Sequence, residues 1–285
     1  MIPFPCFFLG YEPTVLETGL LTSDGGQIDT LWPMGGFDGG FLNLYNRPAA
    51  LSGFTVDKAS GDFNFARLAI LPMRESVTVV YGDRTPVDDY QYQVYAVQLP
   101  TQSRVQVIQV PVFPPFLPGT GNGCTTVAVD TPDGYTPVLV GFDLTFGLGG
   151  DIFIPFDDDH PLLRIKVHVY TNGVTVCLQD NNGDENYWFT VFVANVPDCF
   201  VHSTGNTGRM RNGGGGSATT TYPVVAQAQP VLTGFDFQFD NGEHEIDRIG
   251  AVLRNGQIYG FFDDQNDDDP YFWQVWYAQI QPAGL

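Results

Sequence analysis

Lysine is nearly absent from this 285-residue sequence, which contains only Lys58 and Lys166. Lysine and arginine together number 12 against 32 aspartates and glutamates, so the formal net charge is −20 at pH 7. A surface of that charge repels the phosphates of nucleic acids and the head groups of anionic lipids. We therefore expect no nucleic-acid binding. Divalent cations or a salty medium are the natural partners of such a surface, and solubility alone is the alternative explanation for its charge.

Long apolar runs are also missing, because none approaches the roughly eighteen residues needed to span a bilayer, and we expect no membrane insertion. The first nine residues are apolar but contain two prolines and no basic residue, so we predict no signal peptide. The expected location is extracellular or associated with a virion or other particle. The sequence leaves open the disulfide state of its four cysteines, Cys6, Cys124, Cys177 and Cys199.

Motifs of common catalytic centres are missing as well. The chain has no G-x-S-x-G elbow, no H-E-x-x-H zinc motif and no phosphate-binding P-loop. The four histidines are interpreted as lying at unrelated positions of the internal repeat of the sequence; they are His160, His168, His202 and His244. The sequence therefore predicts that the chain is not an enzyme.

The sequence is instead rich in strand-forming and turn-forming residues, with 23 phenylalanines, 13 tyrosines, 33 glycines and 21 prolines. It also repeats itself. Shifting the chain by 181 residues places 51–94 on 232–275 without a gap, and the stretch that opens with Leu139 fits between them as a middle copy. The middle copy carries a nine-residue insertion within 149–158. After this insertion, each of its positions lies 97 residues after the equivalent position of the first copy.

Each copy reads as four strands, and the tyrosines that open the fourth strands, Tyr90, Tyr187 and Tyr271, are predicted to face the core. We predict an all-β fold of three tandem antiparallel β-sandwich-like units, spanning 1–100, 101–197 and 198–285. The alternative is one pseudo-threefold body that resembles a β-prism.

The loop between the third and fourth strands is acidic in all three units. In the second and third units it contains D-x-N-x-D, which places oxygen ligands at alternate positions as in the first half of an EF-hand loop. This predicts calcium sites, although an acidic turn in contact with solvent has the same composition. The predicted ligands are Asp180, Asn182, Asp184, Glu185, Asp264, Asn266, Asp268 and Asp269. In the first unit Asp83 and Asp88 flank a loop without the inner ligands, so no metal is predicted there.

An arginine occupies the same position of the second strand in every unit. These residues are Arg67, Arg164 and Arg248, and we predict that each forms a structural ion pair. The candidate partners are the acids five residues earlier, Asp62, Asp159 and Glu243.

The fourth strands of the last two units run Val191-Phe192-Val193-Ala194 and Val275-Trp276-Tyr277-Ala278. Over about ten residues per unit they resemble the last strand of H-type lectin domains, which implies carbohydrate binding as one possible activity. The first hypothesis is a non-catalytic, self-assembling structural subunit of an extracellular or virion-like fibre, tube or shell, with copies of itself as partners. The second is a calcium-dependent, lectin-like module that binds glycans.

Overall fold

The structure is a computed structural model of the chain, and strands are its dominant element. It describes residues 11–18, 20–22, 29–33, 48–58, 65–72, 76–83, 90–109, 123–147, 162–180, 186–214, 216–240, 244–264 and 269–282. The strands of the described residues are β1 (Val15–Glu17), β2 (Leu21–Thr22), β3 (Asp29–Pro33), β4 (Ala49–Lys58), β5 (Phe65–Pro72), β6 (Ser76–Asp83), β7 (Tyr90–Gln98), β8 (Arg104–Gln109), β9 (Cys124–Ala128), β10 (Tyr135–Gly147), β11 (Leu162–Tyr170), β12 (Gly173–Asp180), β13 (Asn186–Pro197), β14 (Val201–Asn206), β15 (Met210–Asn212), β16 (Ser217–Thr221), β17 (Gln229–Phe239), β18 (Ile246–Arg254), β19 (Gln257–Asp264) and β20 (Tyr271–Ile280). A short 3₁₀ turn covers Asp198–Phe200.

The strands form three antiparallel sheets. The first has the order β1-β7-β4-β18-β19-β16, the second β3-β6-β5-β10-β13-β8 and the third β14-β20-β17-β11-β12-β9, while β2 and β15 pair with β7 and β20. The prediction of an all-β, antiparallel fold is confirmed. No helix long and apolar enough to cross a membrane occurs in the described part of the chain.

Each sheet combines strands from two of the predicted units. The first and fourth strands of one unit pair with the second and third strands of another: β4 and β7 with β18 and β19, β10 and β13 with β5 and β6, and β17 and β20 with β11 and β12. The three pairings form a cycle, and this arrangement is consistent with a prism-like body. Hydrogen-bonded sheets extend across the predicted unit boundaries, and the boundaries themselves remain a prediction.

Three phenylalanines meet where the first strands of the units approach one another. Phe54, Phe142 and Phe235 are each fully buried. Their ring centroids are 5.3, 5.2 and 5.3 Å apart in the three pairs, which is the spacing of favourable aromatic contacts. The sequence L-x-G-F opens each copy of the repeat, at 51–54, 139–142 and 232–235, and these three residues are its phenylalanines. One repeated residue therefore supplies the centre of the core.

The three tyrosines predicted to face the core are buried, and each makes the same hydrogen bond. Their hydroxyl groups donate to the carbonyl oxygen eleven residues earlier, on the third strand of the same unit. The pairs are Tyr90 with Val79 at 3.4 Å, Tyr187 with Val176 at 3.1 Å and Tyr271 with Gly260 at 3.2 Å. Because the third and fourth strands of a unit lie in different sheets, each tyrosine links two sheets.

A disulfide closes one edge of the third sheet. Cys124 and Cys177 lie opposite each other on β9 and β12, and their Cα atoms are 4.2 Å apart. Cys199 is also disulfide-bonded, to a partner outside the described residues. Disulfide bonds form and persist mainly in oxidising environments.

Each repeated arginine pairs with an aspartate on the first strand of another unit. Arg67 donates two hydrogen bonds to Asp143, at 2.9 and 2.6 Å. Arg164 does the same to Asp236, at 2.9 and 2.7 Å. These aspartates are not the partners that the sequence suggested. The predicted partners Asp62, Asp159 and Glu243 lie outside the described residues, so pairing with them remains a prediction.

The third pair is weaker for a reason that strand register explains. Asp143 and Asp236 lie diagonally across from their arginines, whereas Thr55 occupies that position opposite Arg248. Arg248 therefore reaches the directly opposite Asp57, with Nε 3.5 Å from Oδ2. Burial raises the pKa of Asp57, and the nearby Arg248 offsets this only in part. The guanidinium of Arg248 also lies over the ring of Phe261.

We predict that Phe142→Ala lowers the free energy of unfolding by about 3–5 kcal/mol, because it opens a cavity at the contact of all three units. Phe272→Ala is the matched control, since Phe272 is only partly buried on the outside of β20. Urea denaturation monitored by circular dichroism measures both. Equal losses in the two variants would show that the central contact has no special weight.

We predict that Asp236→Asn destabilises the fold by about 1.5–3 kcal/mol, because it removes a charged acceptor from a bidentate pair that is only 10–17% exposed. Asp57→Asn should have a much smaller effect, since Asp57 is 46% exposed and only weakly paired. Denaturation midpoints at pH 7 compare the two variants. A larger effect at Asp57 would contradict this ranking.

Candidate metal centre and groove

The acidic loop of the third unit brings two predicted ligands together. Asp264 ends β19 and is buried, whereas Asp269 precedes β20 and its side chain is 39% exposed. Both carboxylates lie close to the same imidazole nitrogen, Nδ1 of His244. Asn266 and Asp268, the other predicted ligands of this loop, lie outside the described residues.

His244 completes this cluster, although the sequence analysis did not include it. It lies just before β18, and its carbonyl oxygen accepts a hydrogen bond from the backbone amide of Leu162 at 3.2 Å. The imidazole is buried and stacks on Phe239, with ring centroids 3.8 Å apart. Its Nδ1 atom is 3.1 Å from Oδ2 of Asp264 and 3.3 Å from Oδ2 of Asp269. Packing against Phe239 therefore holds the ring with Nδ1 facing both carboxylates.

The three side chains can offer their ligand atoms to one ion. One donor atom from each of His244, Asp264 and Asp269 lies within 4.8 Å of the other two. A hydrogen bond between the two carboxyl groups raises the pKa of Asp269, burial and the charge of Asp264 raise it further, and His244 opposes the shift. Two carboxylates this close repel each other, and a cation or a shared proton relieves the repulsion.

The second unit shows only part of its predicted site. Asp180 ends β12 and is 2% exposed, in the position that corresponds to Asp264. Asn182, Asp184 and Glu185 lie outside the described residues, as does the side chain of Asp83 in the first unit. Calcium binding at these loops remains a prediction.

A spacing in the sequence could have identified His244. His160 and His244 both lie four residues before a repeated arginine, so the assignment of no shared position to the histidines was wrong for this pair. The first unit has Phe63 at the same place. His160 lies outside the described residues.

A groove lies on the third sheet, away from the acidic loop. It has a volume of about 280 Å³, and its lining includes Thr136, His168, Tyr170, Thr204, Asn206 and Trp276. His168 and Trp276 stack with centroids 4.1 Å apart and planes 15° from parallel. They lie on either side of Gly234, where a Cβ would come within 2.5 Å of the carbonyl oxygen of Val167. The glycine thus lets two rings from neighbouring strands meet above it.

Among the residues that the structure describes, the lining of the groove carries no carboxylate and no cation at neutral pH. Burial lowers the pKa of His168 to about 4, and the charge of Lys166 contributes to this shift while Asp236 opposes it. The Lys166 ammonium lies 5.2 Å from the Trp276 ring centroid and 3.6 Å from Asp236. The lining therefore offers hydroxyl, amide and aromatic groups without net charge.

No protein-family model matches the chain, and comparison with curated proteins finds no significant match.

Proposed function

We propose that the chain is a non-catalytic structural subunit that assembles with copies of itself into an extracellular or virion-like fibre, tube or shell. The observation that carries this proposal is the interlocking of the units, because every sheet contains strands from two of them. A unit cannot separate without breaking a sheet, so the body resists local opening. The two disulfides support a location in an oxidising environment.

The acidic loops supply the second element of the proposal, which is stabilisation by calcium. Asp264 and Asp269 approach the same point, and the D-x-N-x-D pattern provides further oxygen ligands in the sequence. Two unit charges 4 Å apart interact with about 4 kcal/mol at an effective dielectric constant of 20. A divalent cation would convert this repulsion into attraction and hold the third and fourth strands together at the loop.

The outer edge of β8 is the proposed contact between copies. This strand ends the second sheet and has no strand on its outer side among the described residues. Val107 on β8 is 49% exposed. An exposed edge with an apolar side chain is a template for adding a strand from another chain.

We predict that Val107→Lys weakens self-assembly, because a charged side chain on an edge strand opposes strand addition. Val224→Lys is the matched control, since Val224 is 72% exposed but lies outside the strands. Light scattering after size exclusion, together with negative-stain microscopy, compares both variants with the unmodified chain. Monodisperse monomer at every concentration of the unmodified chain would rule out assembly.

The second candidate function is glycan binding, and the groove on the third sheet favours it. Aromatic rings beside hydroxyl and amide groups suit a sugar, whose C–H faces stack on rings and whose hydroxyls form hydrogen bonds. The lectin-like hypothesis also included calcium. The groove is lined by His168 and Tyr170 at one end of β11, whereas Leu162 at the other end of this strand contacts His244 of the metal cluster. Nine residues of strand span roughly 30 Å, so a loop-bound ion would not contact a sugar there.

We predict that, if the groove binds glycans, Trp276→Ala abolishes binding on a glycan array while Phe272→Ala retains it. Both residues are aromatic, partly buried and on β20, but only Trp276 lines the groove. Binding should persist in EDTA. An array with no bound glycan, or equal binding by both variants, would eliminate this candidate.

A further inference from the structure

We propose that His244, Asp264 and Asp269 form a centre for zinc, or for a transition-metal ion with the same ligand preference, rather than for calcium. The inference rests on the cation-binding loop of the proposed function and revises its ion: because His244 lies beside Asp264 and Asp269, zinc takes the place that the D-x-N-x-D pattern alone assigns to calcium. The centre in the third unit uses only residues that the structure describes, whereas its repetition in the second unit is predicted from the sequence, because His160 and Glu185 lie outside the described residues.

The ligand types carry the argument. Calcium in proteins is bound by oxygen atoms, whereas imidazole nitrogen is a preferred ligand of zinc and similar ions. At this centre the imidazole is buried, and its Nδ1 faces the carboxylates. A calcium site would gain nothing from a nitrogen held in that position, whereas a zinc site uses it directly.

The distances fit a small tetrahedral ion. Zinc lies about 2.0–2.2 Å from nitrogen and oxygen ligands, which places neighbouring ligands of a tetrahedron about 3.3–3.6 Å apart. The Nδ1 atom of His244 is 3.1 and 3.3 Å from the two carboxylate oxygens. These two distances come within a few tenths of an ångström of the tetrahedral spacing, and the ligand atoms of the two carboxylates lie within 4.8 Å of each other.

The same residue types recur at the same spacing in the second unit. From the histidine, the acids follow after 20 and 25 residues: His244, Asp264 and Asp269 correspond to His160, Asp180 and Glu185. Asp180 is buried at the end of its strand, as Asp264 is. The first unit keeps Asp83 and Asp88 but has Phe63 in place of the histidine. This pattern predicts two zinc ions per chain and none in the first unit.

A protonated histidine paired with two aspartates would give similar distances without any metal. A substitution of His244 separates an ion that prefers nitrogen ligands from one that prefers oxygen ligands. His244→Asn exchanges the nitrogen ligand for an amide oxygen, which calcium accepts and zinc disfavours. Asp269→Asn tests the same centre at a partly exposed position, where folding is least affected.

The experiment titrates the metal-free full-length chain separately with zinc and calcium by calorimetry, and cobalt absorption spectra report the ligand geometry. We expect two zinc equivalents for the unmodified chain and one after His244→Asn or Asp269→Asn. His202→Gln is the matched control and should keep both, because His202 contacts Gln281 away from the cluster. Phe63→His should add a third equivalent.

The outcomes separate this inference from the proposed function. Zinc binding that is unchanged by His244→Asn and Asp269→Asn would overturn the inference, as would calcium binding without zinc binding, which would leave the calcium proposal standing. Binding of neither metal would overturn both metal proposals, while Val107→Lys still tests assembly. A single zinc equivalent that is lost in His244→Asn would support the third-unit centre and contradict its repetition in the second unit.

Discussion

The mutual contact of Phe54, Phe142 and Phe235 is the constraint on which the rest of the structure depends. Three large rings can meet at one point only if the first strands of all three units approach the same place. A four-stranded unit with one apolar face cannot bury that face alone, and the other two units supply the missing cover. The aromatic contact and the burial of the sheet faces are therefore satisfied together.

The exchange of strands between units follows from this crowding. With the first strands at the centre, the second and third strands of each unit extend a neighbouring sheet, and polar contacts fix that placement. Arg67 and Arg164 bind aspartates of the next unit. Each buried tyrosine hydroxyl links the fourth strand of its unit to the third strand, which lies in another sheet. The polar links are specific because an unpaired buried charge or hydroxyl is costly.

The sequence was sufficient to predict what depends on local pattern. Alternation within strands gave the all-β fold and the buried face of Tyr90, Tyr187 and Tyr271, because burial on one face of a strand imposes a period of two. It did not give the partners of Arg164 or Arg67, because those partners lie on strands 72 and 76 residues away whose pairing depends on the whole body. His244 was missed for a related reason: its role depends on a fold that places the start of β18 beside the end of β19.

Comparison of equivalent positions shows how a repeated scaffold can carry different sites. In the first sheet Gly53 lies between Val252 and Tyr95, whereas in the third sheet Gly234 lies between His168 and Trp276. The first arrangement belongs to a buried cluster, and the second lines a groove. The backbone contact at the glycine is the same, so it is the flanking side chains that differ. Because the Phe54 contact and the interlocked strands hold the body together, the outer faces and loops can change without loss of the fold, so the groove and the proposed metal centre need not occur in every copy.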